Sequence, residues 1–396
     1  MPPSRLPSIP LPVHNKPLEK SEKKTKPDSP ASSENIHQPL IEMRDIYKVY
    51  KTHAGEFTAL KGINADFYPG QFVSIIGKSG SGKSTLLNMI TGIDRPSAGK
   101  IQIGDTFLQN LTESQFSEWR GKNLGIVFQF FQLLPMLSLL ENTILPMDFC
   151  KMYTPPEREA RARELLEMVG LGGYVEKLPA AVSGGQVQCA AIARALANDP
   201  PIIVADEPTG NLDSKTADMV LNLIDELVKK GKTVLVVTHD EAVARHASRT
   251  LVICDGELVN EDVSRTLPHI SHRSMLMIAN QSVDFSRSHG EVLFSRESEI
   301  PGLVVVVDGS LDIHNPDGRK SGSIKAGSVF SGQYLRKAIA NGKALLGGSH
   351  KPVRLKVLSN DNLQTIKTQS RSFRAFMEKL EANGTIFIDE KMETRG

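Results

Sequence analysis

Between about Leu40 and Asn260, short apolar runs alternate with stretches whose apolar residues recur at helical spacing, a pattern that predicts α/β architecture. The runs Phe72–Ile76, Leu124–Phe128, Ile202–Asp206, Thr233–Thr238 and Leu251–Cys254 read as strands. Ile202, Ile203, Val204 and Ala205 are apolar in succession, which suits a strand buried on both faces of a parallel sheet. Helices are expected to start at Gly82, Thr112, Pro156, Gly184 and Ser214. After about Asn260 the texture changes to short strand-like runs, Leu303–Val307, Leu311–His314, Ser323–Lys325 and Leu355–Leu358, separated by Gly, Asn and Asp. A last amphipathic helix is expected around Phe373–Leu380, with Phe373, Phe376, Met377 and Leu380 along one face. At the other end, residues 1–38 are rich in Pro, Ser and Lys and lack periodicity, which predicts a disordered tail. The expected organisation is therefore a tail at 1–38, an α/β domain at 39–261, a linker at 262–280 and a mostly-β domain at 281–396.

Composition changes this picture in only a few places. The 47 basic and 45 acidic residues nearly cancel, so no nucleic-acid partner held by bulk charge is expected. Cys150, Cys189 and Cys254 are few and scattered, as expected of reduced thiols in the cytoplasm rather than of a disulfide framework. No apolar run reaches the roughly 18 residues of a membrane span, and the first residues lack a secretory apolar core. Any membrane-crossing part is expected on another chain.

Candidate chemistry begins where the strand Phe72–Ile76 runs into Gly77-Lys78-Ser79-Gly80-Ser81-Gly82-Lys83-Ser84-Thr85. This is G-x-x-x-x-G-K-[ST] between a strand and a helix. Glycines let backbone N–H groups turn inward around phosphate oxygens, and the following helix adds its positive end. Lys83 is placed to reach the β- and γ-phosphates, and the Ser84 hydroxyl to ligate Mg²⁺. A chance glycine-rich turn would lack the flanking strand and helix. Further along, the strand from Ile202 ends in Asp206 and Glu207, one carboxylate to hold Mg²⁺ and one to polarise the attacking water. Taken alone, such charges at a strand end are equally well explained as solvated. Ser183-Gly184-Gly185-Gln186 precedes a helical run, which by itself reads as a helix cap with two glycines.

In this order the three elements resemble ABC ATPases, over about Leu40 to Gly256. The resemblance implies further roles. Gln129 senses Mg²⁺ and the attacking water beside the permease contact, Asp213 communicates across a dimer, and His239 reaches the γ-phosphate. Tyr50 stacks on adenine, with Tyr47 the weaker candidate. It implies ATP and Mg²⁺ as cofactors and a head-to-tail homodimer in which Ser183, Gly184, Gly185 and Gln186 contact the partner's ATP. Two positions depart from the family pattern: Val182 stands where Leu is usual, and Cys189 where Arg is usual.

About a hundred residues separate Lys83 from Ser183, room for a small helical subdomain and not for a long coiled coil. Within them, Phe128–Pro135, Leu139–Met147 and Gly92–Pro96, and beyond them Gly210–Asp213, resemble cassettes of the lipoprotein-release and macrolide-efflux exporters. That resemblance implies a separate membrane permease and a chain peripheral on the cytoplasmic face of the inner (plasma) membrane. The apolar patch starting at Gln129 is then a groove for a permease helix, or else subdomain core. The alternatives are a soluble ABC ATPase without a permease, acting in DNA or division machinery, and a nucleotide-responsive binding module. Residues 281–380 weakly resemble the β-roll that binds cyclic nucleotides. In its ligand segment, Phe330-Ser331-Gly332-Gln333 offers a neutral Gln near the expected carboxylate, Lys351 stands for the expected Arg, and Arg354 is expected on the opposite face. The expectation is a β-roll-like domain that docks or supports without tight cyclic-nucleotide binding.

Overall fold

The computed structural model describes residues 38–53, 55–129, 132–210, 212–288, 290–294, 299–341, 344–347, 352–383 and 385–387. All but Gln38 of the expected tail, and Lys351, lie outside them. The chain begins with a hairpin, β1 (Ile41–Thr52) and β2 (Gly55–Phe67), followed by β3 (Phe72–Ile76), α1 (Lys83–Thr91), β4 (Ala98–Ile103) and β5 (Thr106–Phe107). Next come α2 (Glu113–Asn123), β6 (Leu124–Val127), α3 (Leu139–Phe149), α4 (Pro155–Met168), α5 (Gly184–Ala195) and β7 (Ile202–Asp206). The first part closes with α6 (Ser214–Lys229), β8 (Thr233–Val237), α7 (Glu241–His246), β9 (Arg249–Cys254) and β10 (Glu257–Leu258).

β1, β2, β4 and β5 form one antiparallel sheet; the second sheet runs β10-β9-β3-β8-β7-β6, parallel from β9 to β6. Leu86, Leu87, Met89 and Ile90 of α1 pack between these sheets, against Ile75 and Val204 on one side and Ile63 and Ile101 on the other. In register, Ile75 lies beside Val237 and Asp206 beside Val237. The chain therefore leaves β3, β7 and β8 at one edge of the sheet, the edge at which open parallel sheets bind their ligands.

In this first part the expected strands and helix starts lie within two residues of the observed ones, with Gly82 and Thr112 as the cap residues before α1 and α2. The apolar patch Leu139–Met147 is the helix α3, started by a capping box between Ser138 and Glu141 and carrying Pro146 inside it. Leu139, Leu140 and Met147 are buried against α4 and α5, so much of the patch is subdomain core.

The linker expected at 262–280 is corrected by the structure. It is mostly helical, α8 (Glu261–Thr266) and α9 (His272–Gln281), with Val263, Leu267, Ile270, Met275, Leu276 and Ile278 buried. Those side chains have a partner surface, and burying them outweighs the freedom a linker would keep. Beyond lie β11 (Val283–Arg287), β12 (Val292–Phe294), β13 (Leu303–Asp308), β14 (Ser310–His314), β15 (Lys320–Lys325), β16 (Ser328–Ser331), α10 (Gly332–Ala340), β17 (Ala344–Gly347) and β18 (Val353–Leu358). Two helices and a strand end the described chain, α11 (Asn360–Gln369), α12 (Arg371–Asn383) and β19 (Thr385–Phe387). The strands make two antiparallel sheets, β11-β18-β13-β16-β19 and β12-β17-β14-β15, packed over a shared core that includes Phe294, Leu311, Phe330 and Leu355. β13 is buried on both faces. Val304 and Val306 point between the sheets, while Leu303, Val305 and Val307 meet α9, α11, α12 and β9.

Candidate nucleotide site

The loop from Gly77 to Gly82 is held against the end of β9. A Cβ on Gly77 would stand 2.4 Å from the Ile253 carbonyl oxygen and 2.6 Å from Ser81 Oγ, so only glycine fits. Gly256 N–H donates to the Ser81 carbonyl at 3.0 Å, closing the loop on the turn after β9. Lys78, Ser79 and Gly80 form its exposed crown, whereas Ser81 is buried and its hydroxyl has no hydrogen-bond partner. Lys83 Nζ donates to the carbonyls of Gly77 at 2.9 Å and Lys78 at 3.1 Å, so the ammonium lies inside the curve of the loop. Ser84 and Thr85 follow in the first turn of α1, where unpaired N–H groups face outward.

Beside the loop the acidic strand end arrives. Ser84 Oγ donates to Asp206 Oδ2 at 2.8 Å across 122 positions of sequence. Burial raises the Asp206 carboxyl above its ordinary range and the Glu207 charge adds to this, with Ser84 and Lys83 acting in the other direction. Glu207 has φ +51°, a left-handed conformation that a residue with a Cβ adopts at some cost. Its N–H donates to the Val237 carbonyl at 2.9 Å, which fixes the backbone there. Its carboxylate is nearly buried; Oε1 lies 2.7 Å from His239 Nδ1, and Oε2 accepts from Thr238 Oγ1 at 3.4 Å. The His239 ring itself is 76% exposed, free to face a ligand while holding Glu207.

Ser84, Asp206, Glu207 and His239, predicted from separate stretches of sequence, thus meet in one cluster beside Lys83. Gln129 lies two residues past β6, at the same sheet edge because Val127 pairs with Ala205; it is exposed and makes no hydrogen bond to the cluster. Ser183, Gly184, Gly185 and Gln186 stand apart at the start of α5. Ser183 N–H donates to Gln186 Oε1 at 2.9 Å and Gln186 N–H to Ser183 Oγ at 3.3 Å, a capping box. No hydrogen bond joins them to residues 77–85. Asp213 caps α6, accepting from Thr216 N–H at 3.1 Å and Thr216 Oγ1 at 2.6 Å, bonds that hold its carboxyl below the ordinary range. Tyr50 is half-buried and donates to Asp94 Oδ2 at 3.0 Å. Tyr47 is set over Gly62 of the hairpin, at 3.0 Å from where a Cβ would sit. Cys189 lies on the buried face of α5, its thiol pushed up to about 11 by burial and then by Asp213. Sequence reasoning missed Thr238 and Asp94. Thr238 was signalled by its place next to His239, but Asp94 has no local signal.

Residues 60–210 match the protein family described as ABC transporter. An uncharacterised ABC transporter ATP-binding protein of Bacillus subtilis, YvrO, is 45% identical over 223 residues, 56% of this chain and 97% of that protein. The lipoprotein-releasing system ATP-binding protein LolD 2 of Caulobacter vibrioides is 42% identical over 224 residues, 56% of this chain and 98% of its own length. Among solved structures, the ATP-binding cassette MJ0796 of Methanocaldococcus jannaschii, a dimer bound to ADP and Pi, matches with TM-score 0.54 and 43% identity over 56% of this chain and 97% of that one. With relatives covered almost end to end by residues carrying the phosphate loop and its acidic partner strand, the chain belongs to the ATP-binding subunits of ABC transporters.

Proposed function

We propose that the chain binds ATP with Mg²⁺ and hydrolyses it as one half of a head-to-tail pair of cassettes that drives a separate membrane permease. The observation that carries the reading is the meeting of Ser84, Asp206, Glu207 and His239 at the sheet edge beside Lys83. A hydroxyl and a carboxylate oxygen 2.8 Å apart are the hard donors Mg²⁺ takes. Ser84 and Asp206 would be the side chains that hold Mg²⁺. When bound, Mg²⁺ neutralises charge on the β- and γ-phosphate oxygens. Lys83 and the loop N–H groups hold the same oxygens from the other side. Glu207, fixed by His239 and Thr238, orients the water and takes up its proton. Ser183 Oγ accepts from Gln186 N–H and keeps its own proton to donate, and it faces solvent, as a group serving a partner's ATP must.

The permease is seated in a groove of about 1070 Å³ between α2 and α3, lined by Glu113, Glu118, Phe128, Phe149 and Arg194. Phe149 is 78% exposed at its rim, and Gln129 follows Phe128 in the chain, so a helix lodged there feels the nucleotide site. No helix among the described residues is long and apolar enough to cross a membrane; in this reading the chain sits on the cytoplasmic face of the membrane, beside its permease. Similarity to the lipoprotein-releasing subunit favours a permease of the lipoprotein-release or efflux type. The C-terminal β domain docks or supports. Steady-state phosphate release tests the reading: Glu207→Gln should keep ATP affinity and lose at least about a hundredfold in rate. Unchanged turnover overturns it.

A further inference from the structure

If Tyr50 stacks on adenine, something must hold its ring, because it sits near the end of β1 beside the open hairpin turn. The structure supplies the hold from residues 44 positions away. Tyr50 Oη donates to Asp94 Oδ2 at 3.0 Å, and Lys48 Nζ donates to Asp94 Oδ1 at 2.6 Å and to the Arg95 carbonyl at 2.9 Å. The Lys48 ammonium also stands 4.9 Å from the centre of the Tyr50 ring, within cation–π range. Asp94 Oδ1 accepts the Arg95 N–H at 2.8 Å, so both carboxylate oxygens are engaged. The turn around Asp94 is itself stitched to β1, Ser97 N–H to the Tyr47 carbonyl at 2.8 Å and Val49 N–H to Ser97 Oγ at 3.0 Å.

The charge states fit a permanent tether. Burial works to raise the Asp94 carboxyl, but the hydrogen bonds from Lys48 and Tyr50 prevail and hold it below the ordinary range. Burial and Asp94 together raise the Tyr50 phenol, which therefore stays a donor. Asp94 comes just after α1, whose first turn carries Lys83, Ser84 and Thr85, and the Thr85 side chain lies against the Tyr50 hydroxyl. One nine-residue helix, about 13 Å long, thus links the phosphate grip to the anchor of the ring.

We propose that Asp94 is a positioning residue for base recognition: it fixes the Tyr50 ring over the start of α1 by accepting the phenol proton, without touching the nucleotide. The proposal rests on the reading of Tyr50 as the stacking residue. It is tested on the full chain by calorimetric binding of ATP and of inorganic tripolyphosphate, which has no base. Asp94→Ala should weaken ATP about five- to tenfold, the worth of one hydrogen bond, and leave tripolyphosphate unchanged. Tyr50→Phe keeps the ring and the Lys48–Asp94 pair, and should lose as much as Asp94→Ala. The double variant should lose no more than either. Asp94→Asn has one acceptor oxygen for the three donors that Asp94 serves, so its ATP affinity should fall between those of Asp94→Ala and the parent. Tyr50→Ala weakening ATP while Asp94→Ala and Tyr50→Phe do not would overturn the tether and keep the stacking role. No effect of Tyr50→Ala would overturn both. Equal losses for ATP and tripolyphosphate in Asp94→Ala would show a general disturbance of the site and likewise overturn the proposal.

Discussion

Substituting Gly184 by alanine separates what the fold needs from what the assembly needs. Gly184 is the first residue of α5, exposed, outside the positive-φ region, and a Cβ there would meet no atom within 4 Å. In the single chain alanine therefore introduces no clash. By narrowing the unfolded chain's choices it stabilises by about 0.4–1 kcal/mol, a melting shift of about 1–3 °C upward for a protein this large. In a head-to-tail pair the same methyl group is placed against the partner's phosphates, where a displacement of a few tenths of an ångström spoils donor geometry. A tenfold or greater fall in phosphate release follows, about 1.4 kcal/mol or more in the barrier. Nucleotide-free melting and steady-state phosphate release on one preparation read both effects. Raised stability with full turnover would remove the second residue of Ser183–Gln186 from any nucleotide interface. A lowered melting temperature would refute the stability argument itself.

The trans placement is checked by light scattering: Glu207→Gln with Mg·ATP should run as a dimer, and adding Ser183→Arg should return it to monomer. For Asp206 the folded-state value lies above the unfolded one, so its contribution to stability is full below the unfolded carboxylate range and is lost as pH rises through the raised value. Asp206→Asn should then melt higher than the parent at pH 7 without nucleotide, flatten the pH dependence and abolish Mg²⁺-dependent hydrolysis; a lower melting temperature at pH 7 counts against the burial argument. Phe373→Ala, in a fully buried position of α12, should cost about 3–5 kcal/mol. Because its core includes Val252 and Cys254 of β9, the melting followed by Trp119, the single tryptophan, should fall too; an unmoved Trp119 transition would mean the two parts melt independently. At pH 8 only roughly one Cys189 in a thousand is thiolate, so a disulfide reagent should reach half-buried Cys150 first, and labelling of Cys189 faster than unfolding would refute its burial.

What was legible in the sequence was what depends on neighbours in the chain. β7 was visible because a strand covered on both faces is apolar at successive positions, and the phosphate loop because its glycines and Lys83 are contiguous. α3 was hidden by Pro146 and by apolar residues around much of its circumference, which erase the one-sided period that marks a helix. α8 is six residues long, too short to show a period, and its burial depends on a surface formed by β9 and β13. The left-handed Glu207 and the Tyr50–Asp94 bond have no signature in composition or spacing. They are imposed by tertiary contacts from residues distant in the chain, Val237 for Glu207 and Asp94 for Tyr50.

β9 shows why the C-terminal part is more than a passenger. Along this strand Leu251 and Ile253 enter the core beneath the nucleotide site, while Val252 and Cys254 enter the core built with α8, α9, β13 and α12. Alternate side chains of one strand thus belong to two cores, as the two-residue period of a strand allows. The Ile253 carbonyl is also the atom that leaves no room for a Cβ on Gly77, and Ile76, one residue before the loop, packs partly against the second core. α9 brings His272 close enough to Lys78 and Lys83 that, after burial, their charges help lower its basicity. A chain ending after β10 would open Val252 and Cys254 to water on the strand that braces the phosphate loop. The C-terminal helices therefore cover one face of the strand whose Ile253 carbonyl backs Gly77.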